Sequence, residues 1–293
     1  MKEVPRWVKV GLLQMEMDID IEDNVSKAVR LIARAARKGA ELVCLPELFT
    51  TRYMAQYEGS CLTFEERCAY AETVPGRTTD ALCKAAKANG VIVVGGSIYE
   101  LDGEHLYNTA VVIDENGVLS GKYRKTHIPH DPFYYEQDYF EPGDTGFKVF
   151  DTSIGKVSVL ICYDQWYPEA ARCCALAGAE LILYPTAIGH VADHDPQEGD
   201  WHRPWEDVMR GHAIANGVPV VGINRVGVED RMRFWGGSFV IDAWGKTQRR
   251  LGLKEQVAVV PVDLDYGREI KESWRFFHNR RPECYGRITQ KVR

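Results

Sequence analysis

A cysteine, a glutamate and a lysine, each at the end of a segment that reads as a strand, are the residues of this chain best suited to do chemistry together. Cys162 follows "VSVLI", Glu47 follows "LVCLP" and Lys125 follows "GKYR". Ligands of α/β sheets bind outside the carboxyl ends of strands, so this shared position argues for a common site. A free thiol has a pKa of about 8.5, and only a few per cent is thiolate at neutral pH. A neighbouring carboxylate can take its proton as a carbonyl carbon is attacked, and can later activate water. An ammonium within reach favours the thiolate and the developing oxyanion, and the backbone N–H of Tyr163 is the natural second oxyanion donor. Each residue also has a plainer reading: Cys162 as a small buried hydrophobe, Glu47 as a helix cap, Lys125 as a solvated charge. Spacing alone leaves both readings open.

Strand and helix patterns alternate along the whole chain. "WVKVGLLQM" reads as a strand, and Asp23 or Asn24 as the cap of a helix that runs to about Lys38 and stops at Gly39. "ELVCLPE" is a short buried strand, Thr78 or Thr79 opens a second helix, and "VIVVGGSIYE" and "LYNTAVVID" follow as strands. "DENG" is a hairpin turn into "VLSGKYRK". Pro168 suits the first turn of the helix behind Cys162. "KGAELVCLPE" and "AGAELILYPT" write one αβ junction twice. Two related halves would produce that, and so would the ordinary chemistry of an αβ turn. No Pro/Gly/Ser-rich linker divides the chain, so residues 1–293 read as a single α/β domain with mixed sheets and outer helices.

Composition removes several function classes. The chain is 45% hydrophobic and 27% charged with a net charge of −6, and it has no Lys/Arg block of the kind that marks a nucleic-acid tract. No window approaches the roughly 18 apolar residues of a membrane span. The first residues enter a strand pattern with no signal-peptide run, and the eight cysteines contain no C-x-x-C pair, so a cytoplasmic protein with reduced thiols is expected. His190 and His194 with Asp193 and Asp195 invite a metal reading. They lie in a Gly/Pro-containing loop without a helical i, i+4 face, so neither metal nor cofactor is expected. Gly95-Gly96 and Gly236-Gly237 sit in no phosphate-binding pattern and read as close backbone approaches.

"LPELF" around Glu47, "YRKTHIP" around Lys125 and "LICYDQWYPEAAR" around Cys162 resemble the three signature segments of the nitrilase superfamily, and the likeness runs from "VKVGLLQM" to "RRPECY". The resemblance implies a four-layer α-β-β-α sandwich, two mixed β-sheets flanked by helices. It implies catalytic roles for Glu47, Lys125 and Cys162, and matches Glu136 to a second glutamate near the nucleophile. It also implies a homo-oligomer, a dimer or larger, with a C-terminal extension from about residue 265 in subunit contacts.

The superfamily hydrolyses nitriles, amides and N-carbamoyl compounds, so the substrate depends on the pocket. Members acting on carboxylated substrates tend to place cations just after the cysteine, where they hold the carboxylate. Here Tyr163-Asp164-Gln165-Trp166 follows, with no cation before Arg172, which favours a neutral or cationic small molecule. Long segments, including "SWRFFHNRRPECY", resemble the N-carbamoylputrescine amidase branch. A diamine tail needs an acidic or carbonyl-lined pocket end. Thr186 and Ala187 at a strand end are substrate-binding candidates, and so are Asp193, Asp195, Glu198 and Asp200 in the loop that follows, with a solvated acidic loop as the plainer reading of any one of the acids. Tyr53, Tyr134, Tyr135 and Trp166 are candidate walls for the methylene chain. An aliphatic amidase or nitrilase with the same three residues, and a catalytically silent binding protein on the same fold, are the competing readings.

Overall fold

The apolar runs assemble into two large sheets whose inner faces meet. The computed structural model describes residues 6–191 and 199–291. The first sheet has seven strands, in the order Gln256–Asp263, Trp7–Gln14, Leu42–Cys44, Ile92–Val94, His105–Ile113 and Ile98–Asp102, with Leu119–Arg124 also paired to His105–Ile113. The second has six, in the order Thr247–Arg250, Phe239–Ile241, Val220–Asn224, Leu181–Thr186, Gly155–Val159 and Phe150–Thr152. A small third sheet joins Gly189–Val191, Met232–Trp235 and Val226–Glu229.

Alternation along the strands sorts side chains between layers. Val10, Leu12, Leu42, Val94 and Val112 share one apolar cluster with Val159, Ile182 and Val221 of the second sheet. Leu13, Val43, Val93 and Val111 point the other way, into a cluster with Ala28, Ile32 and Leu82 of the helices Ile21–Arg37 and Arg77–Asn89. Helices Pro168–Leu176 and His202–Asn216 cover the second sheet through Ala171, Cys174, Trp205 and Met209. The result is the expected α-β-β-α sandwich. Both copies of the αβ junction supply the middle strand of a parallel triplet, Leu42–Cys44 in one sheet and Leu181–Thr186 in the other. Strands covered on both faces are continuous apolar runs for that reason.

Some boundaries differ from the sequence reading, each for a local reason. Helix Ile21–Arg37 is capped by Asp20, whose side chain accepts from the Asp23 N–H at 3.0 Å, and not by Asp23 or Asn24. Asn24 is buried instead, bonding the Asp18 backbone and donating to the Thr50 carbonyl at 3.0 Å. "VIVVGGSIYE" breaks into Ile92–Val94 and Ile98–Asp102, because a Cβ at Gly96 (φ +52°) would stand 2.0 Å from the Pro46 carbonyl. That close approach lets the chain carrying Glu47 lie against the sheet.

The hairpin that delivers Lys125 is fixed at both ends. At its turn, Asp114 accepts from the Asn116 and Val118 amides at 3.0 and 2.7 Å. At its base, buried Arg124 makes paired 2.9 Å bonds to both oxygens of buried Glu100 and lies over the Tyr107 ring at 3.9 Å. Breaking a buried pair by removing one partner costs about 3–5 kcal/mol. Arg124→Met is expected to lower unfolding stability by about that amount in urea titration. Asp102→Asn, which removes a solvent-edge partner of the same arginine, is expected to leave the midpoint nearly unchanged.

Candidate active site

Glu47, Lys125 and Cys162 arrive from three separate strand ends, and the fold brings them together with Glu136. Lys125 Nζ donates to Glu47 Oε1 at 2.8 Å and to Glu136 Oε2 at 2.6 Å. All three of these side chains are essentially unexposed. Asn108, on strand His105–Ile113, donates its amide to Glu47 Oε1 at 2.8 Å and accepts the Lys125 backbone N–H at 2.8 Å. With Oε1 occupied twice, Glu47 Oε2 is buried and without a hydrogen-bond partner among the described residues. A carboxylate oxygen in that condition is an unused proton acceptor.

The thiol sits where this buried cluster meets open space. Cys162 is 6% exposed, has a positive φ of 42°, and opens the short 3₁₀ turn Cys162–Trp166. A residue other than glycine in that conformation is held there by its surroundings. Buried Asp164 does the holding: it accepts the Ile161 N–H at 2.9 Å, the Tyr123 hydroxyl at 2.7 Å, and the backbone and ring N–H of His127 at 3.1 and 2.7 Å. The His127 ring stacks on Tyr167 at 3.7 Å, fixing the far end of the turn. Cys162 Sγ faces the Ala187 carbonyl at 3.8 Å, a weak donor on a weak contact.

Electrostatics leave this thiol protonated at rest. Burial pushes its pKa well above the ordinary value; Glu47 adds to the rise, Lys125 opposes it and Glu136 adds further. The sequence sets the ammonium's pull toward the thiolate beside a carboxylate that takes the proton during attack. The structure adds burial and the charge of two carboxylates, and these outweigh that pull. Burial by itself would lower the Lys125 pKa, yet Glu136 and Glu47 more than reverse that and hold it as ammonium. Glu136 is raised to about 7, first by burial and then by Glu47, with Lys125 pulling the other way.

A cavity of about 500 Å³ opens onto Cys162, with Tyr134, Tyr163, Trp166, His190 and Asp131 among its walls. Among the described residues Asp131 is the one carboxylate lining it, no Lys or Arg does so, and the Asp131 carboxylate has no side-chain partner. Gln165 adds an oriented donor. Trp205 Nε1–H can only donate, at 2.6 Å to Gln165 Oε1, so the Gln165 amide nitrogen is left unpaired and buried beside this space.

The other candidates fall in several places. Tyr134 and Trp166 are walls, and the Tyr134 hydroxyl bonds both the N–H and carbonyl of Gly189 at 2.9 Å. Tyr53 is fully buried away from the cavity walls, donating to Glu136 Oε1 at 2.7 Å. The Tyr135 ring lies against His130 at 5.8 Å, also away from the cavity walls. Thr186 is buried with its hydroxyl on the Tyr184 carbonyl at 3.0 Å, and Ala187 meets the thiol through its backbone. Asp200 accepts the His202 N–H at 2.9 Å at a helix start. Asp193, His194, Asp195 and Glu198 lie outside the described residues. Arg172 lines a separate space with Phe276 and Arg280 that shares no residue with the walls of the Cys162 cavity. Asn108 and Asp131 were not singled out in the sequence. Asn108 sits inside an unremarkable strand, while Asp131 belongs to the polar loop after Lys125 and could have been found there.

A family model described as carbon-nitrogen hydrolase matches residues 9–272. An N-carbamoylputrescine amidase of Solanum lycopersicum is 40% identical over 295 residues, covering 97% of this chain and 96% of that protein. Relatives at 36–39% identity are named citrullinase, nitrilase and omega-amidase. A carbon-nitrogen hydrolase structure from Helicobacter pylori superposes with a TM-score of 0.88 at 34% identity, covering 98% of this chain and all of that one (100%). An amidase from Nesterenkonia sp., whose active-site cysteine carries the acetamide moiety of fluoroacetamide, superposes with a TM-score of 0.78 at 25% identity, covering 97% of each chain. With the family model spanning most of the sequence and relatives matching nearly end to end, this chain is a member of the carbon-nitrogen hydrolase family of the nitrilase superfamily, an enzyme acting on carbon–nitrogen bonds other than peptide bonds.

Proposed function

We propose that the chain hydrolyses an N-carbamoyl amine whose far end is cationic, with N-carbamoylputrescine as the substrate and putrescine, carbon dioxide and ammonia as products. The observation that carries this reading is the cavity beside Cys162, which has one unpaired carboxylate, Asp131, and no Lys or Arg in its described walls. An ammonium tail finds a partner there, whereas a substrate carboxylate would be desolvated without one. Aromatic and apolar walls suit the methylene chain between the two ends. The plant relatives named N-carbamoylputrescine amidase support the same choice.

In this reading Cys162 Sγ attacks the carbamoyl carbon as Glu47 Oε2 takes the thiol proton. Lys125 and the Tyr163 N–H stabilise the oxyanion, each such donor being worth about 3–4 kcal/mol. The intermediate collapses by breaking one C–N bond, and Glu47 returns its proton to the departing nitrogen. Water, deprotonated by Glu47, then cleaves the S–C bond and releases a carbamic acid. That acid loses carbon dioxide to leave the second amine. Glu136 and Tyr53 hold Lys125 in place for both halves. We also propose that the protein works as a homo-oligomer, a reading supported by the exposed Trp244 and Trp274 rings stacked 5.4 Å apart beside the C-terminal extension.

Two measurements test the reading. Ammonia release is expected to be fastest from N-carbamoylputrescine, weak from N-carbamoyl-β-alanine and simple amides, and abolished by Cys162→Ala with the fold intact. Asp131→Asn is expected to raise KM for the cationic substrate about tenfold while sparing butyramide turnover. Equal turnover of all three substrates would discard the diamine assignment, and ordinary turnover by Cys162→Ala would discard the covalent route. The second measurement is the pH profile. The ionised form of Glu136 has a donor for each oxygen, from Tyr53 and Lys125. Its raised pKa therefore makes kcat/KM climb as pH rises through about 7, and Glu136→Gln is expected to remove that inflection along with much of the rate. A profile with the same inflection in Glu136→Gln would contradict the assignment.

A further inference from the structure

The chain leaves the second sheet at Asn224 and enters the small third sheet at Val226, and the residue between them is, after Trp205, the largest fully buried side chain among the described residues. Arg225 is completely unexposed. It forms a two-pronged pair with Glu229, Nε to Oε1 and Nη2 to Oε2, both at 2.8 Å. Its remaining donors reach backwards to the segment that carries Glu47: Nη2 to the Thr51 carbonyl at 2.8 Å, and Nη1 to the carbonyls of Glu47 and Leu48 at 3.4 Å each. Glu229 Oε2 accepts the Tyr53 N–H at 2.7 Å, and Tyr53 in turn donates its hydroxyl to Glu136. One ion pair thus touches the backbone on both sides of a turn whose side chains hold the Glu47–Lys125–Glu136 cluster.

That turn needs holding. Leu48 adopts φ 45°, a left-handed conformation that costs a residue with a Cβ on the order of 1 kcal/mol. Ser97 takes the Leu48 N–H at 2.8 Å and Arg225 the carbonyl, so both of its polar groups are fixed. The neighbour of Arg225 works on the opposite wall. Asn224 bonds the Ile188 N–H and carbonyl at 3.0 and 2.8 Å, and the Arg225 N–H donates to Thr186 at 3.2 Å. The segment so fixed includes Ala187, whose carbonyl faces the thiol.

We infer that the Arg225–Glu229 pair is a positioning clamp that sets Glu47 and Tyr53 against Cys162, with Asn224 fixing the opposing wall. It touches no reacting atom and acts through the 47–53 backbone. This rests on the reading of Glu47 as base and Cys162 as nucleophile. A misplacement of about 1 Å in such a group lowers rates by about a hundredfold.

The test compares Arg225→Met, Glu229→Gln and Arg225→Lys with the exposed control Asp230→Asn, whose wild-type side chain pairs, among the described residues, with part-exposed Arg52. Steady-state kinetics on N-carbamoylputrescine are read beside the rate of Cys162 alkylation by iodoacetamide, both corrected for folded fraction by circular dichroism. The clamp predicts kcat lowered about tenfold to a hundredfold in Arg225→Met and Glu229→Gln, with KM within about threefold. Arg225→Lys is predicted to be intermediate, since it restores charge but not the two-pronged geometry. The acidic limb of the pH profile is predicted to shift in the same variants, and Asp230→Asn to match wild type. Glu229→Gln keeps the side-chain volume, so it carries the test if Arg225→Met does not fold. Wild-type kcat per folded molecule in Glu229→Gln, with wild-type alkylation, would overturn the clamp. An inactive wild type would instead count against the substrate, and the alkylation rates would still judge the clamp.

Discussion

One ammonium shared by two buried carboxylates governs this site. Lys125 binds Glu47 and Glu136 in a region with no exposure to water. At an effective dielectric of about 20, unit charges about 4 Å apart attract by roughly 4 kcal/mol, and these contacts are closer still. Removing the ammonium would leave two like charges buried side by side, an arrangement that forces one of them to take a proton. The same sharing leaves one Glu47 oxygen free and bears on the field at the thiol, while burial and Glu47 raise Glu136 to about 7 against the pull of Lys125. Reactivity here follows from burial as much as from the identities of the three residues.

The sandwich exists, in functional terms, to close that triangle. Glu47 follows the middle strand of the first sheet's parallel triplet, Lys125 an edge hairpin of the same sheet, and Cys162 a strand of the second sheet. The inner apolar cluster that joins the sheets therefore determines whether Glu47 and Cys162 meet. Two local strains, at Leu48 and Cys162, aim the side chains once the layers are joined. Both are held by buried polar side chains, Ser97 and Arg225 for one and Asp164 for the other. The arrangement is costly in backbone terms and is sustained by packing around it.

The sequence made much of this legible. Strand ends carry local signals, so Glu47, Lys125 and Cys162 stood out, and the apolar runs announced layered α/β structure. Gly95-Gly96 and Gly236-Gly237 are close approaches, against Pro46 in one case and Gln14 and His202 in the other. Residues that act through long-range hydrogen bonds left no such mark. Asn108, Asp164 and Arg225 bond partners tens to hundreds of positions away, which no periodicity reveals. Tyr53 was read as a pocket wall because aromatic rings usually are. Its hydroxyl turns to Glu136 instead, since burial demands a partner for it. The resting state of the thiol was also hidden, because desolvation depends on how much protein surrounds the sulfur.

Burial and Glu47 keep Cys162 a neutral thiol at rest, and in the proposed reaction its proton passes to Glu47 only as the carbon is attacked. Ultraviolet titration of thiolate absorbance, wild type minus Cys162→Ala, tests this most directly. No thiolate from Cys162 is expected at neutral pH, with the step appearing only above the range of a free cysteine. A step at or below neutral pH would contradict this, because the thiol would then be ionised by Lys125 before substrate arrives.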